Sequence, residues 1–265
     1  MSSLLTNASA MTALQTLTQT NKNLAVAQDR IATGKKVNTA SDNAAYWSIA
    51  TGMKAQNATL GAAQEALGIG KAVVDTAKTA LEEAITLTEK MQAKLATLGS
   101  PGVDDTIIQA EVTELAAQVV DIAKSASFEG VNLLKAGGTA VTITTGYTSS
   151  AGGGTAGLNT LSVAAYDLEG AFGTAPATAM AAETLMVTLR GEAAKLGASS
   201  MRIESQSAFN SKLIDAIDRG IGVLVDADME RESARLSALQ VQQQLGIQAL
   251  SIANSSSQSI LSLFR

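Results

Sequence analysis

Apolar side chains between residues 4 and 33 recur at alternating spacings of three and four. Leu14, Leu17, Asn21, Leu24, Gln28 and Ile31 form one line, apolar at four of its six positions. This a/d repeat of a coiled-coil seam predicts a helix over the segment. Thirty helical residues would reach about 45 Å, and Gly34 stands where a left-handed stop belongs. A short extended stretch, 37–40, leads to Ser41, predicted as the next N-cap, with Asp42 in the first turn.

The helical pattern resumes over 42–98, where Ile69, Val73, Val74, Ala77, Ala80, Leu81, Ala84, Ile85, Thr88 and Met91 keep one stripe. Gly99-Ser100-Pro101-Gly102 ends it. A third helix is predicted over 104–127, led by Asp104 and Asp105 and faced by Ile107, Ile108, Val112, Leu115, Val119 and Ile122. The two should form a helical hairpin.

The segment 137–177 changes character. Glycines flank the β-branched run Val141-Thr142-Ile143-Thr144-Thr145, which reads as a strand, with Leu161–Ala164 as its partner. We expect a small β-rich insert exposed at the surface. For its Ser/Thr-rich part, 139–160, a glycosylated and a plain solvated loop are equal readings.

Helix returns from about 179. Leu185, Leu189, Ala193 and Leu196 start it, Gly197 leaves its continuity open, and Leu213, Ile214, Ile217, Ile221, Leu224 and Val225 carry it on. In the last helix Leu236, Leu239, Gln243, Gly246, Leu250, Ala253, Ser257, Ile260 and Phe264 keep heptad spacing. A second row, Ala238, Val241, Leu245, Gln248 and Ile252, lies beside the first. Two adjacent rows call for more than one neighbouring helix.

Composition narrows the chemistry. Of 265 residues 46% are hydrophobic but only 3% aromatic, so the apolar content is mainly Ala, Leu, Ile and Val, suited to helix packing. There is no Cys and no His. Disulfides, thiolate nucleophiles, imidazole bases, Ser-His-Asp triads and nearly all zinc sites are thereby excluded, and no cofactor or catalytic residue is expected. Net charge is −5, without a Lys/Arg run, so no nucleic-acid partner is expected. No apolar stretch is long enough to span a membrane. The first 21 residues are uncharged but lack a basic start and are broken by Thr6, Asn7 and Gln15, so we expect no signal peptide. Residues 1–54 carry five cations and two acids, a net of +3, and 215–265 carry six acids and four arginines, a net of −2. Opposite signs favour pairing of the ends, within or between subunits.

Smaller features have bland readings. Asp226-x-Asp228-x-Glu230 lacks the turn glycine and further ligands of a calcium loop and reads as a helix-junction cap. Tyr46-Trp47 reads as a packing anchor. Lys35-Lys36 reads as solvated or inter-subunit. Gly52, Gly61, Gly68 and Gly70 read as points of close helix approach.

Both ends of the chain resemble the bacterial flagellins. The matching residues are Arg30-Ile31-Ala32-Thr33-Gly34-Lys35-Lys36-Val37-Asn38, Ser41-Asp42-Asn43-Ala44-Ala45 and Ile49-Ala50. Phe128-Glu129-Gly130-Val131-Asn132-Leu133-Leu134 and Ala194-Lys195-Leu196-Gly197-Ala198 follow in order. The match is closest at the C-terminal side, in Val225–Glu230, Gln242–Gly246, Gln248–Asn254 and Ile260-Leu261-Ser262-Leu263-Phe264-Arg265. Asn43–Ala50 and the last five residues are similar to alphaproteobacterial, rhizobial-type members.

The resemblance implies a mainly α fold. A paired terminal coiled coil (1–41 and 221–265) forms an inner domain, a helical rod (42–136 and 179–220) an outer one, and 137–178 a short β-rich insert. It implies a structural, non-enzymatic subunit that self-assembles into the helical flagellar filament, the motility propeller. The alternative is a hook–filament junction protein. A protease-bearing flagellin would need His-Glu-x-x-His, and the chain has no His. Implied partners are other flagellin subunits, sister flagellins among them, the flagellar export apparatus, an export chaperone, the filament cap and hook-associated proteins. The product would be secreted, in the extracellular filament. The expected assembly seam is Leu14, Leu17, Leu24, Ile31, Leu236, Leu239, Leu250, Ile260 and Phe264. Until assembly covers that seam, the terminal helices are expected to be unfolded.

Overall fold

The computed structural model describes residues 7–102, 104–148 and 157–263, with side chains as far as 255. In chain order it contains α1 (Ala8–Thr33), α2 (Ala44–Leu95), α3 (Asp105–Ser125), β1 (Val141–Thr148), β2 (Gly157–Val163), α4 (Leu168–Ala171), α5 (Ala179–Val225) and α6 (Met229–Leu263). The fold is mainly α with one two-stranded antiparallel sheet. Two compact units divide the chain: 1–54 with 217–265, and 55–216.

In the second unit α2 and α5 run antiparallel. Gln64 donates to Ser207 at 2.7 Å, Ser200 to Asp75 at 3.1 Å, and Arg190 pairs with Glu89 at 3.1 Å. α5 continues unbroken through Gly197. The α2 stripe is buried from Val73 to Met91, apart from half-buried Ile85, and meets Val112, Ala116 and Val119 of α3 and Leu189, Leu196 and Ile203 of α5 in one core. Ile69 and Ile107, expected on these faces, are instead exposed, by 59% and 58%.

Asp104 caps α3, its carboxylate accepting from the Thr106 backbone and hydroxyl, and those bonds hold its carboxyl below the usual range. The other end is closed by Asn132. Its amide donates to the Ala123 carbonyl at 2.7 Å and its oxygen accepts from Leu134 N–H at 2.8 Å. Glu129 and Gly130 make the turn before it with positive φ.

The insert is not simply a surface feature. Strand β1 pairs with β2 from Val141↔Val163 to Thr148↔Gly157, with a register shift at Thr144/Gly146. Ile143, Leu161 and Val163 join the core, because alternation sends one face of the hairpin inward. Buried Asn210 of α5 donates to the Thr145 carbonyl at 2.8 Å, satisfying the backbone at the irregularity. Part of the Ser/Thr-rich stretch lies outside the described residues.

The expectation of close helix approach at four glycines holds at none of them: Gly70 alone is closely approached, and by strand β1. A Cβ at Gly70 would lie 2.5–2.8 Å from three Ile143 side-chain atoms. At Gly52, Gly61 and Gly68 it would meet nothing, so close approach is not their reason.

Candidate assembly surface

Helices α1 and α6 lie antiparallel in the first unit. Asn7 caps α1 through the Ala10 N–H, and its side-chain amide also donates to the Ala253 carbonyl at 3.0 Å. Farther along, Gly246 faces Leu17, Gln243 donates to Asn21 at 2.9 Å, and Arg30 forms an ion pair with Glu232 at 3.0 Å. A Cβ at position 246 would stand 3.2 Å from Leu17 Cδ1, so glycine lets the helices approach closely. The pairing of oppositely charged ends is thus present within the chain, and Arg30–Glu232 is the ion pair that carries it among the described residues.

At the far end of α1, Gly34 adopts φ 69° and stops the helix. The chain then runs beside the α5–α6 junction. Lys36 N–H donates to the Val225 carbonyl at 2.7 Å, Ala227 N–H to the Gly34 carbonyl at 2.9 Å, and Lys36 Nζ to the Val223 carbonyl at 2.7 Å. Val37 and Val225 are buried there. The Gly34–Asn38 and Val225–Glu230 motifs, far apart in sequence, therefore build one joint. Asp228 caps α6 through the Arg231 N–H, which places it as a cap.

The predicted Ser41 cap is displaced. Asp42 accepts from the backbone N–H groups of Thr39 and Asn38 and from the Thr39 hydroxyl, which ties the residues before it into a turn. The helix then begins two residues later, with Asn43 Oδ1 accepting from Tyr46 N–H. Those backbone bonds, helped by the Arg30 charge, hold the Asp42 carboxyl below its usual range.

Among the predicted seam residues, Leu239 is buried, and Leu17, Leu24, Ile31, Leu236 and Leu250 are half-buried. Leu14 is 55% exposed. Ile260 lies in α6 beyond the described side chains, and Phe264 lies outside the described residues. Half of the line on α1, positions 14, 21 and 28, is shifted by one position, while Leu17, Leu24 and Ile31 stay on it. Thr20 and Ala27 are buried where Asn21 and Gln28 were expected. Thr20 returns its hydroxyl to the Thr16 carbonyl and so needs no partner across the interface. Ala13, Thr20 and Ala27 recur at seven-residue spacing, a signal hidden by the heavier Leu14 beside it.

Large apolar groups stay outside this pair. Met11 and Leu14 on α1, with Val241, Leu245, Ile247 and Ile252 on α6, are each more than half exposed. The second row of α6 is therefore left largely uncovered by the described residues. Tyr46 and Trp47 are also partly exposed, by 45% and 40%, and belong to no buried core among the described residues. No group of three potential metal ligands occurs among the described residues, and no helix there is long and apolar enough to cross a membrane.

Comparison with known proteins agrees with this layout of ends and insert. The bacterial flagellin N-terminal helical region matches residues 4–139, and the bacterial flagellin C-terminal helical region matches 180–264. The hairpin lies between the two matches. A flagellin of Brucella melitensis is 45% identical over 286 aligned residues, and flagellin C of Rhizobium meliloti is 40% identical over 320; each alignment covers 100% of both chains. Flagellin FljK of Caulobacter vibrioides is 38% identical, over 100% of this chain and 99% of its own. The hook–filament junction alternative gains nothing from these matches. The chain belongs to the bacterial flagellin family and is a structural subunit of the flagellar filament.

Proposed function

We propose that the subunit polymerises by covering the outward apolar rows of the α1–α6 pair with helices of neighbouring subunits. The carrying observation is the row Val241, Leu245 and Ile252 on α6, beside Met11 and Leu14 on α1, all strongly exposed in the single chain. Burying such surface is favourable by about 25 cal/mol per Å², and a heterologous contact that does not close yields a helical polymer. Leu17, Leu24, Ile31, Leu236, Leu239 and Leu250 hold the pair together from inside, while Leu14 acts from outside. Ile260 and Phe264 extend the same heptad line. The work is packing, without catalysis.

Secretion belongs to the same reading. A chain without Cys forms no disulfides, and its terminal helices gain their full burial only in the polymer. The subunit would pass the flagellar export apparatus unfolded, escorted by an export chaperone, and join under the filament cap beyond hook-associated proteins, with sister flagellins where present.

Seeded polymerisation tests the reading. Leu245→Glu should abolish sedimentable filaments while far-UV circular dichroism of the subunit is kept. Filaments of normal length from that variant would refute it.

A further inference from the structure

A face of α5 within 55–216 has no cover among the described residues. Met180, Val187 and Met201, on a strict seven-residue spacing, are exposed by 76%, 65% and 73%. Ala194 and Ala208 continue that spacing, and Gly191, Ala198 and Ser205 between them are exposed as well, with Glu183 and the Glu89-paired Arg190 the charges beside its first half. A solvated helix face normally carries more charge, so an exposed apolar row about 40 Å long marks a contact surface. Lys195 and Arg202, seven residues apart, border it. Arg202 has no ion-pair partner among the described residues, and Lys195 pairs only with Glu192 of its own helix.

The outward face of α3 is its counterpart. Ile107 is 58% exposed, Ala110 and Ala117 are exposed, and Glu114 and Asp121 stand seven residues apart. Neither acid has an ion-pair partner among the described residues. The two faces thus present opposite charges at one repeat. They cannot meet within one subunit, because Val112 and Val119 of α3 and Leu189 and Leu196 of α5 turn the opposite faces into a shared core. Two α5 faces do not suit each other: antiparallel about the Ala198–Ser199 midpoint, Lys195 would meet Arg202.

We propose that α3 of one subunit lies along α5 of another in the filament, Glu114 and Asp121 against Lys195 and Arg202, with Ala117 over Ala198. The contact rests on the chain's polymerising and is independent of the rows on α1 and α6. Its two sides differ, so it propagates without closing, and its charges set register more than strength.

The chain has no cysteine, so an engineered pair reports cleanly. Filaments of Ala117→Cys/Ala198→Cys should give a ladder of disulfide-linked subunits on mild oxidation, and neither single variant should. Filaments that form without a ladder would overturn the contact and leave polymerisation through α1 and α6 standing. Separately, Lys195→Glu with Arg202→Glu should raise the concentration needed for polymer about tenfold. Adding Glu114→Lys and Asp121→Lys in the same chain should restore it. Unchanged polymerisation after the first reversal, or no recovery after the second, would also overturn it.

Discussion

Asp42 gathers two backbone amides and a hydroxyl, and its position decides where α2 starts. Its folded pKa is lowered, so the turn's contribution is present above the ordinary Asp value of about 3.9 and is lost as pH falls through the folded value. The amide proton shifts of Asn38 and Thr39 should titrate together with a midpoint below that of a free Asp. A midpoint at or above it would contradict the assignment. Glycine makes the second residue-scale case. Gly70→Ala should destabilise by about 1–3 kcal/mol because its methyl meets Ile143. Gly68→Ala, with open space, should stabilise by up to about 1 kcal/mol. Thermal melts of the two variants would then move in opposite directions. Four helical glycines look alike in sequence, and only the hairpin packed over one of them tells them apart.

Among elements, the α1–α6 pair carries its specificity in polar contacts. Glu232 is nearly buried, and its Oε2 has no hydrogen-bond partner among the described residues, so Arg30 is what balances it. Arg30→Met should weaken the pair by about 2–3 kcal/mol, whereas Arg30→Met with Glu232→Met should cost clearly less. Amide exchange along α1 measures both. Equal losses would show that the ion pair does not hold the register. The helices and the hairpin were legible because periodicity and β-branched runs are local signals. Which row of α1 faces α6 was not, because Leu14 outweighs Ala13 in hydrophobicity while the close approach permitted by Gly246 favours small Thr20 and Ala27. The Ser41 cap failed for a similar reason. Ser41 and Asn43 are equally good caps in isolation, and the bonds of Asp42 to the preceding turn decide between them.

For the whole molecule, a core in 55–216 and a joint between Gly34–Asn38 and Val225–Ala227 hold the chain, while large apolar side chains at its ends stay in water. Composition foresaw the means and not this division: without Cys, His or many aromatic residues, the chain relies on helix packing. The membership of the two α6 rows was readable from spacing, but their exposure was not, since periodicity names a face and not its neighbour. Leu250→Glu, inside the pair, should stop polymerisation while the core of 55–216 keeps its amide protection. A filament reconstruction at side-chain resolution tests the central claim most directly. The account predicts that Leu14, Val241, Leu245 and Ile252 are covered by other subunits. Finding them facing water in the intact filament would contradict it.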